Sequence, residues 1–329
     1  MTQRPPVFQS PLAESIQAFL AHKRALARRY DVEEKTLRLL DRYLVERKLS
    51  AVEHITPDVI DAFLASRPRQ RPRSYNHLLG VVARLFQWLV RQGLLTHSPL
   101  RAKPRRQTSQ RLPFLFDQNS ARRLLELAGS LPDNPRALLR GATYRLIFIL
   151  LYGLGLRVGE VARLRRSDLD LDRKLLEIRL TKFSKNRLVP FGPRIAAQLQ
   201  EYLQTCEQYR GRLAPDAPVF SFLAGRGLNP GTISQTFHGL VPRLGLHIPP
   251  GTSPPRVHDL RHSFAVGTLL RWYRAGLNPG TRLLQLSTFL GHVDPTSTAT
   301  YLTITHTLLQ EANRRFEAFA RTSIEETSL

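Results

Sequence analysis

Arginine, histidine and tyrosine recur in three short stretches of this 329-residue sequence at spacings that suit chemistry on a phosphate. The first, LLYGLGLRVGEVARL (150–164), sets three glycines behind an apolar run and ahead of a helix-like segment. Gly153, Gly155 and Gly159 are spaced G-x-G-x-x-x-G after a run of helical pattern, and both facts depart from the dinucleotide-binding G-x-G-x-x-G. The glycines can let two helices turn sharply, and Arg157, with Glu160 one helical turn later, would be a guanidinium backed by a carboxylate. In the second stretch, HDLRH, His258 and His262 stand at i and i+4 and superficially match the zinc motif H-E-x-x-H. Aspartate occupies the acidic position, and Arg261 on the same face would oppose a bound dication. No metal is expected, and His258 with Arg261 offers a proton-transfer group beside a phosphate fork. The third stretch, STFLGHVDPTSTATYLTIT, holds His292 and Tyr301. Each alone is ordinary packing or surface. Beside two arginines, the other histidines and a basic hairpin, they supply oxygen-neutralising forks, proton carriers and a nucleophile, as phosphodiester transesterification needs.

The elements that must hold these residues are mostly helices. PLAESIQAFLAHKRAL places Leu12, Ile16, Phe19 and Leu20 on one face, and ITPDVIDAFL opens with Thr56 as a cap and Pro57 at the first helical position. YNHLLGVVARLFQWLVRQGLL carries a stripe of Leu78, Val82, Leu85, Phe86 and Leu89 that ends near Gly93. The first hundred residues thus predict four or five short helices and no strand. Between them, RPRQRPR (67–73) holds Arg67, Arg69, Arg71 and Arg73 stiffened by two prolines, a loop suited to phosphate contact or simply solvated. LRAKPRRQTSQRLP (100–113), with Lys103, Arg105 and Arg106 among its basic residues and no acid, has a linker composition; it could track a nucleic-acid backbone or serve as a tether. Beyond it, helical periodicity runs through SARRLLELAGSL and YRLIFILLYGLG. KLLEIRL alternates Leu176, Ile178 and Leu180 with Glu177 and Arg179 as a half-exposed strand, and RLVPF closes a hairpin with it. Helices are expected from about Ile195 onward, interrupted by the loop IPPGTSPPR.

Composition narrows the partner. Hydrophobic residues make up 42% and charged residues 23%, as in a globular protein, and no run approaches the ~18 apolar residues of a membrane span. The opening residues lack an apolar signal core, so a cytoplasmic protein is expected. Forty-nine Lys plus Arg against 26 Asp plus Glu leave +23, a surplus that calls for an external polyanion. Nucleic acid is the first choice, with ribosomal or membrane-surface binding as alternatives. Cys206 stands alone, which leaves no disulfide framework or cysteine metal site, and reads as a small buried hydrophobe.

GLRVGEVARL, TKFSKNRLVP, HDLRHSFAV and LGHVDPTSTATY, in this order, resemble the boxes of the tyrosine recombinase/phage integrase family. The helical N-terminal part is similar to that family's core-binding domain. The resemblance implies that Arg157 and Arg261 hold the non-bridging oxygens of a scissile phosphate, with Glu160 as supporting acid. It implies that Lys182 protonates the departing 5′ oxygen, that His258 is a proton-transfer and hydrogen-bonding group, and that His292 contacts the phosphate. Tyr301 would form a 3′-phosphotyrosyl bond without metal or other cofactor. Two departures stand out: Phe183 replaces the usual hairpin glycine, and Lys185 lies three residues beyond Lys182 and competes with it for the acid's role. The long stretch TLLRWYRAGLNPGTRLLQLSTFLGH resembles recombinases of transposons, plasmids and integrative elements.

The expectation is a mainly α protein: a helical core-binding domain over 1–103, a basic linker over 104–112, and a mostly helical catalytic domain with a small antiparallel sheet over 113–329. The two domains are expected to grip duplex DNA, four protomers acting on two specific sites as a dimer per site. The expected function is site-specific recombination, integrating, excising or resolving DNA elements. Type IB topoisomerase-like resealing and a catalytically silent DNA-binding regulator are the rivals. Beyond the tyrosine, Leu309, Ala312, Phe316 and Phe319 form a helical stripe that must bury in its own domain or on a neighbouring protomer.

Overall fold

The computed structural model describes residues 8–26, 28, 30–106, 111–179, 186–223, 225–292, 294, 296–299, 301, 310 and 313–314. The chain divides into two compact units, Met1–Gln110 and Arg111–Leu329.

The first unit is built from α1 (Ala13–Ala25), α2 (Asp31–Glu46), α3 (Pro57–Ala65) and α4 (Pro72–Arg91), with no strand among its described residues. The stripes read from the sequence are the ones that bury. Leu12, Ile16, Phe19 and Leu20 meet Leu37, Leu40, Leu44, Ile60 and Phe63, and α4 contributes Leu78, Val82, Leu85, Phe86 and Leu89. Thr56 does cap α3 ahead of Pro57, but through its extended backbone alone, since its side chain makes no capping bond. The basic stretch after α4, whose composition suits either a backbone-tracking segment or a tether, is anchored at Arg105. The Asn76 side chain accepts from the Arg105 N–H at 2.7 Å and donates to the Arg105 carbonyl at 2.8 Å. The Arg105 guanidinium lies 4.0 Å from the centre of the Tyr75 ring and donates to the Arg69 carbonyl.

The second unit opens with α5 (Gln118–Gly129), α6 (Arg140–Gly153) and the short α7 (Val158–Ala162). A three-stranded antiparallel sheet follows in the order β1 (Leu169–Asp170), β2 (Leu175–Ile178), β3 (Arg187–Pro190). In β2 and β3 the paired Leu176 and Val189 are buried while their neighbours Glu177 and Leu188 are not, the period-two alternation expected of a half-covered sheet. The remaining elements are α8 (Pro193–Arg210), β4 (Ser221–Leu223), β5 (Arg226–Gly227), α9 (Pro230–Leu240), α10 (Asp259–Arg274), α11 (Pro279–Leu290) and α12 (Thr296–Ala299). Helix α6 is central and packs against α5, α8 and α10, burying Tyr144, Ile147, Phe148, Leu150 and Leu151. Beside this core, Ala265, Val266 and Leu269 of α10 close on Leu286 and Leu290 of α11 and on Tyr301.

The β4–β5 hairpin corrects the expectation of unbroken helices between Ile195 and the proline loop. Its strands are two and three residues long, closed by Gly225 at φ +74°, too short for any periodic pattern. Among the described residues no helix is long and apolar enough to cross a membrane. The stripe of Leu309, Ala312, Phe316 and Phe319 lies outside the described residues.

Candidate active site

The site is assembled at the C-terminal end of α11. A helix leaves its last carbonyls without intrahelical partners, and that end carries the negative pole of its dipole. Here the chain turns back through Gly291 at φ +69°. The N–H of His292 donates to the Ser287 carbonyl and that of Gly291 to the Thr288 carbonyl, the paired bonds of a Schellman ending. The next three carbonyls are each taken by a different arginine. Phe289 accepts from Arg187 Nε at 2.9 Å, Leu290 from Arg261 Nη2 at 2.7 Å and Gly291 from Arg157 Nη2 at 2.9 Å.

Each arginine reaches this end from another element. Arg157 caps α7, and Glu160 accepts both from its backbone N–H and from its Nη1, each at 2.8 Å. Arg261, on α10, is 1% exposed and places Nη1 on the Gly155 carbonyl at 2.6 Å. Arg187 opens β3 and grips both carboxylate oxygens of Glu160 at 2.9 Å. Gly155 is required at its turn: φ is +60°, and a Cβ there would stand 2.5 Å from Phe264 Cδ1.

The charges are out of balance. Burial pushes the Glu160 carboxyl up, but hydrogen bonds and charge from Arg187, then from Arg157, hold it down at about 2. Burial first and the neighbouring Arg157 second lower Arg261 to about 9. Three guanidiniums around one carboxylate leave a positively charged cluster, suited to an anion.

The histidines and the tyrosine border it. His292 follows the Schellman turn, with Nδ1 2.7 Å from Thr298 Oγ1. Asp294 accepts from the Thr296 N–H and so starts α12, and this short helix delivers Tyr301, 3% exposed, with its ring 6.3 Å from that of His292 and nearly parallel to it. Burial raises the Tyr301 phenol, and the charges of Arg261 and Arg157 pull the other way. His258 precedes α10 as its cap, with its ring edge-on to His262 at 4.7 Å. Loss of water, followed by the charges of Arg261, Arg157 and Arg256, lowers His258 to about 4.

The structure thus brings Arg157, Glu160, His258, Arg261, His292 and Tyr301 together. Lys182, with its competitor Lys185, lies outside the described residues on the β2–β3 connection. Among the described residues no three His, Cys, Asp or Glu side chains converge as a metal would need. Arg69, Arg71, Arg73, Lys103, Arg105 and Arg106 are exposed in the first unit, whereas Arg67 is half-buried, its Nε without a partner. Two residues of the site escaped the reading of the sequence. Arg187 shares the inward register of β3 with Val189, and an arginine on the core side of a strand was a usable signal. His262, read only as a metal ligand, has Nδ1 2.9 Å from the Tyr301 hydroxyl.

A solved λ integrase dimer bound to a COC′ core site has this fold, with a TM-score of 0.59, 19% identity and coverage of 88% of this chain and 76% of that one. The architecture is therefore that of λ integrase. The chain belongs to the phage integrase family, whose model matches residues 116–307. A relative that carries the name integrase/recombinase y4rB, from Sinorhizobium fredii, is 33% identical over 94% of this chain and 98% of its own length. A tyrosine recombinase XerC of Rhodospirillum centenum is 34% identical over 73% of this chain and 65% of its own. The protein is a tyrosine-type site-specific recombinase.

Proposed function

We propose that this recombinase cuts and rejoins duplex DNA at specific sites through Tyr301. The phenolic oxygen attacks the scissile phosphorus, the bond to the 5′ oxygen breaks, and a 3′-phosphotyrosyl ester conserves its energy for a 5′ hydroxyl of the partner duplex. Arg157 and Arg261 neutralise the non-bridging oxygens. Glu160 holds Arg157 in place, His292 contacts the phosphate, His258 hydrogen-bonds and relays protons, and Lys182 protonates the leaving 5′ oxygen. The observation that carries this reading is the convergence of Arg157, Arg187 and Arg261 on three successive carbonyls beside Tyr301, with one carboxylate among them. Arg157 is a third exposed, and its bonds to Glu160 and Gly291 occupy two of its five N–H donors.

The reading assigns the first unit, over about 1–103, to gripping the DNA flanks. Arg67, Arg69, Arg71, Arg73, Lys103, Arg105 and Arg106 would meet the backbone there, and 113–329 would do the chemistry. That the λ integrase of like fold was solved as a dimer on DNA supports a DNA partner and an oligomer, and we infer four protomers on two sites. The named relatives come from bacteria, whose DNA lies in the cytoplasm, and that compartment is assigned here.

The test begins with a duplex selected by the protein from a random-sequence library, then made with a nick beside the cleavage point so that the cut strand end is lost. Wild type should accumulate a covalent complex on a denaturing gel. Tyr301→Phe should bind the duplex equally well and accumulate none. A covalent band from Tyr301→Phe would move the nucleophile elsewhere, and relaxation of a two-site plasmid without recombinant product would favour a topoisomerase.

A further inference from the structure

His262 has no role in the reading above, yet its ring lies against the Tyr301 hydroxyl, which Arg261 also meets. Its Nδ1 stands 2.9 Å from the Tyr301 hydroxyl, with the two rings 5.5 Å apart. On its other side, Nε2 faces the fully buried Asp259, whose Oδ1 is 3.9 Å away. That is too long for a hydrogen bond but close enough for the carboxylate to favour the ring's hydrogen on Nε2. The hydrogen on Nε2 leaves Nδ1 as a lone pair aimed at a phenolic O–H.

We infer that His262 is the group that takes the Tyr301 proton when the phenolic oxygen attacks the phosphate. The inference rests on Tyr301 being the nucleophile, as proposed above. The O–H bond breaks and the proton moves to Nδ1. Oxygen bonds to phosphorus, the bond from phosphorus to the 5′ oxygen breaks, and that oxygen collects a proton from the general acid. Rejoining runs the same steps backward, and His262 returns the proton to the phenolate.

The surroundings agree with this direction. His262 faces Asp259, His258, Arg256 and Arg261 on its own segment, His292 beyond α11, and Tyr301, which in turn faces Arg157. Burial first, then the charges of His258, Arg256, Arg261 and His292, lower His262 to about 3. The ring is neutral at neutral pH and free to accept. An entering phosphate would offset the positive neighbours and raise its basicity when the proton must move. The burial and the positive neighbours that depress His262 are the price of keeping it unprotonated until then.

The experiment uses the full chain and the nicked duplex described above, with either an ordinary phosphate or a 5′-bridging phosphorothiolate at the cleavage point. His262→Ala should form the covalent complex about a hundredfold more slowly than wild type at pH 7. His262→Gln, which keeps an acceptor but cannot take a proton, should be similarly slow, and both should bind the duplex normally. Added imidazole should restore much of the His262→Ala rate. Between pH 6.5 and 9 the variant rate should climb steeply as solvent base deprotonates the phenol, while wild type stays nearly level. The phosphorothiolate, which relieves only the need for an acid, should rescue Lys182→Ala and leave His262→Ala slow. Wild-type speed in either variant, faster cleavage in His262→Ala, or a defect indifferent to pH and imidazole would each overturn the inference and leave the nucleophile untouched. A covalent complex in Tyr301→Phe would instead remove the reading on which it rests.

Discussion

Glu160 decides how firmly Arg157 and Arg187 are held. Its side chain is 2% exposed and that of Arg187 is 10% exposed; without Arg187 the buried carboxylate keeps Arg157 as a partner, so the about 3–5 kcal/mol cost of leaving a buried charge uncompensated is an upper bound. The acid equilibrium gives a similar figure. A carboxyl held at about 2 against an ordinary 4.5 contributes about 3 kcal/mol at neutral pH. Since the folded value is the depressed one, this stability is present above pH 4.5 and is lost as pH falls from there toward 2. Arg157 supplies part of that stabilisation, so Arg187→Ala should lose up to about 3 kcal/mol by denaturant unfolding at pH 7 and much less near pH 3; an equal loss at both would show that the ion pair is not the cause. Arg187→Lys, which cannot grip both oxygens, should fall between. Most of the site was legible at this scale because Arg157, Arg261, His292 and Tyr301 sit in short motifs of distinctive residue type. Arg187 and His262 escaped for another reason. Their partners, Glu160 and Tyr301, lie 27 and 39 residues away, so only the folded chain reveals what they touch.

The end of α11 turns separate motifs into one site, and two glycines make that possible. Gly291 closes the helix so that three carbonyls stay available, and Gly155 brings another carbonyl under Arg261. Gly155→Ala should cost the left-handed strain, about 1–2 kcal/mol, plus the displacement of Phe264 and Leu290, whose nearest atoms would be 2.5 and 2.9 Å from the new Cβ. Gly245 is the control: it has the left-handed φ +58° and ψ +42° but open space around it, so Gly245→Ala should show the strain alone and cleave at the wild-type rate. Equal thermal shifts and equal cleavage in the two variants would mean that the close approach at Gly155 does not position Arg261. Long elements were legible in the sequence because a stripe such as Leu78 to Leu89 spans several helical turns, and β2 with β3 alternates cleanly. β1, β4 and β5, at two or three residues, hold barely one repeat of any pattern. The Asn76–Arg105 pairing was hidden by composition, since a basic, proline-flanked stretch reads alike whether it is free or anchored.

For the whole molecule, the charge of +23 is the property least explained by folding. The described ion pairs use only part of the basic set, and Arg69, Arg71 and Arg73 stand exposed around the start of α4. A polyanion releases counterions when such groups meet its phosphates, so the logarithm of affinity should fall linearly with the logarithm of salt, with a slope of about −0.9 per phosphate neutralised. If Arg71 and Arg73 each meet one phosphate, Arg71→Ala and Arg73→Ala should each make the slope shallower by about 0.9 and weaken binding similarly on selected and unrelated duplexes. Arg24 provides the contrast, because its guanidinium is already paired with Glu34 on α2. A cation neutralised within its own unit displaces no counterion, and Arg24→Ala should leave the slope where it was. Fluorescence titrations of the selected duplex from low to physiological salt would measure all four proteins. A nearly flat wild-type slope would contradict the assignment of the charge to DNA. An unchanged slope in Arg71→Ala and Arg73→Ala would move the contacts off this loop.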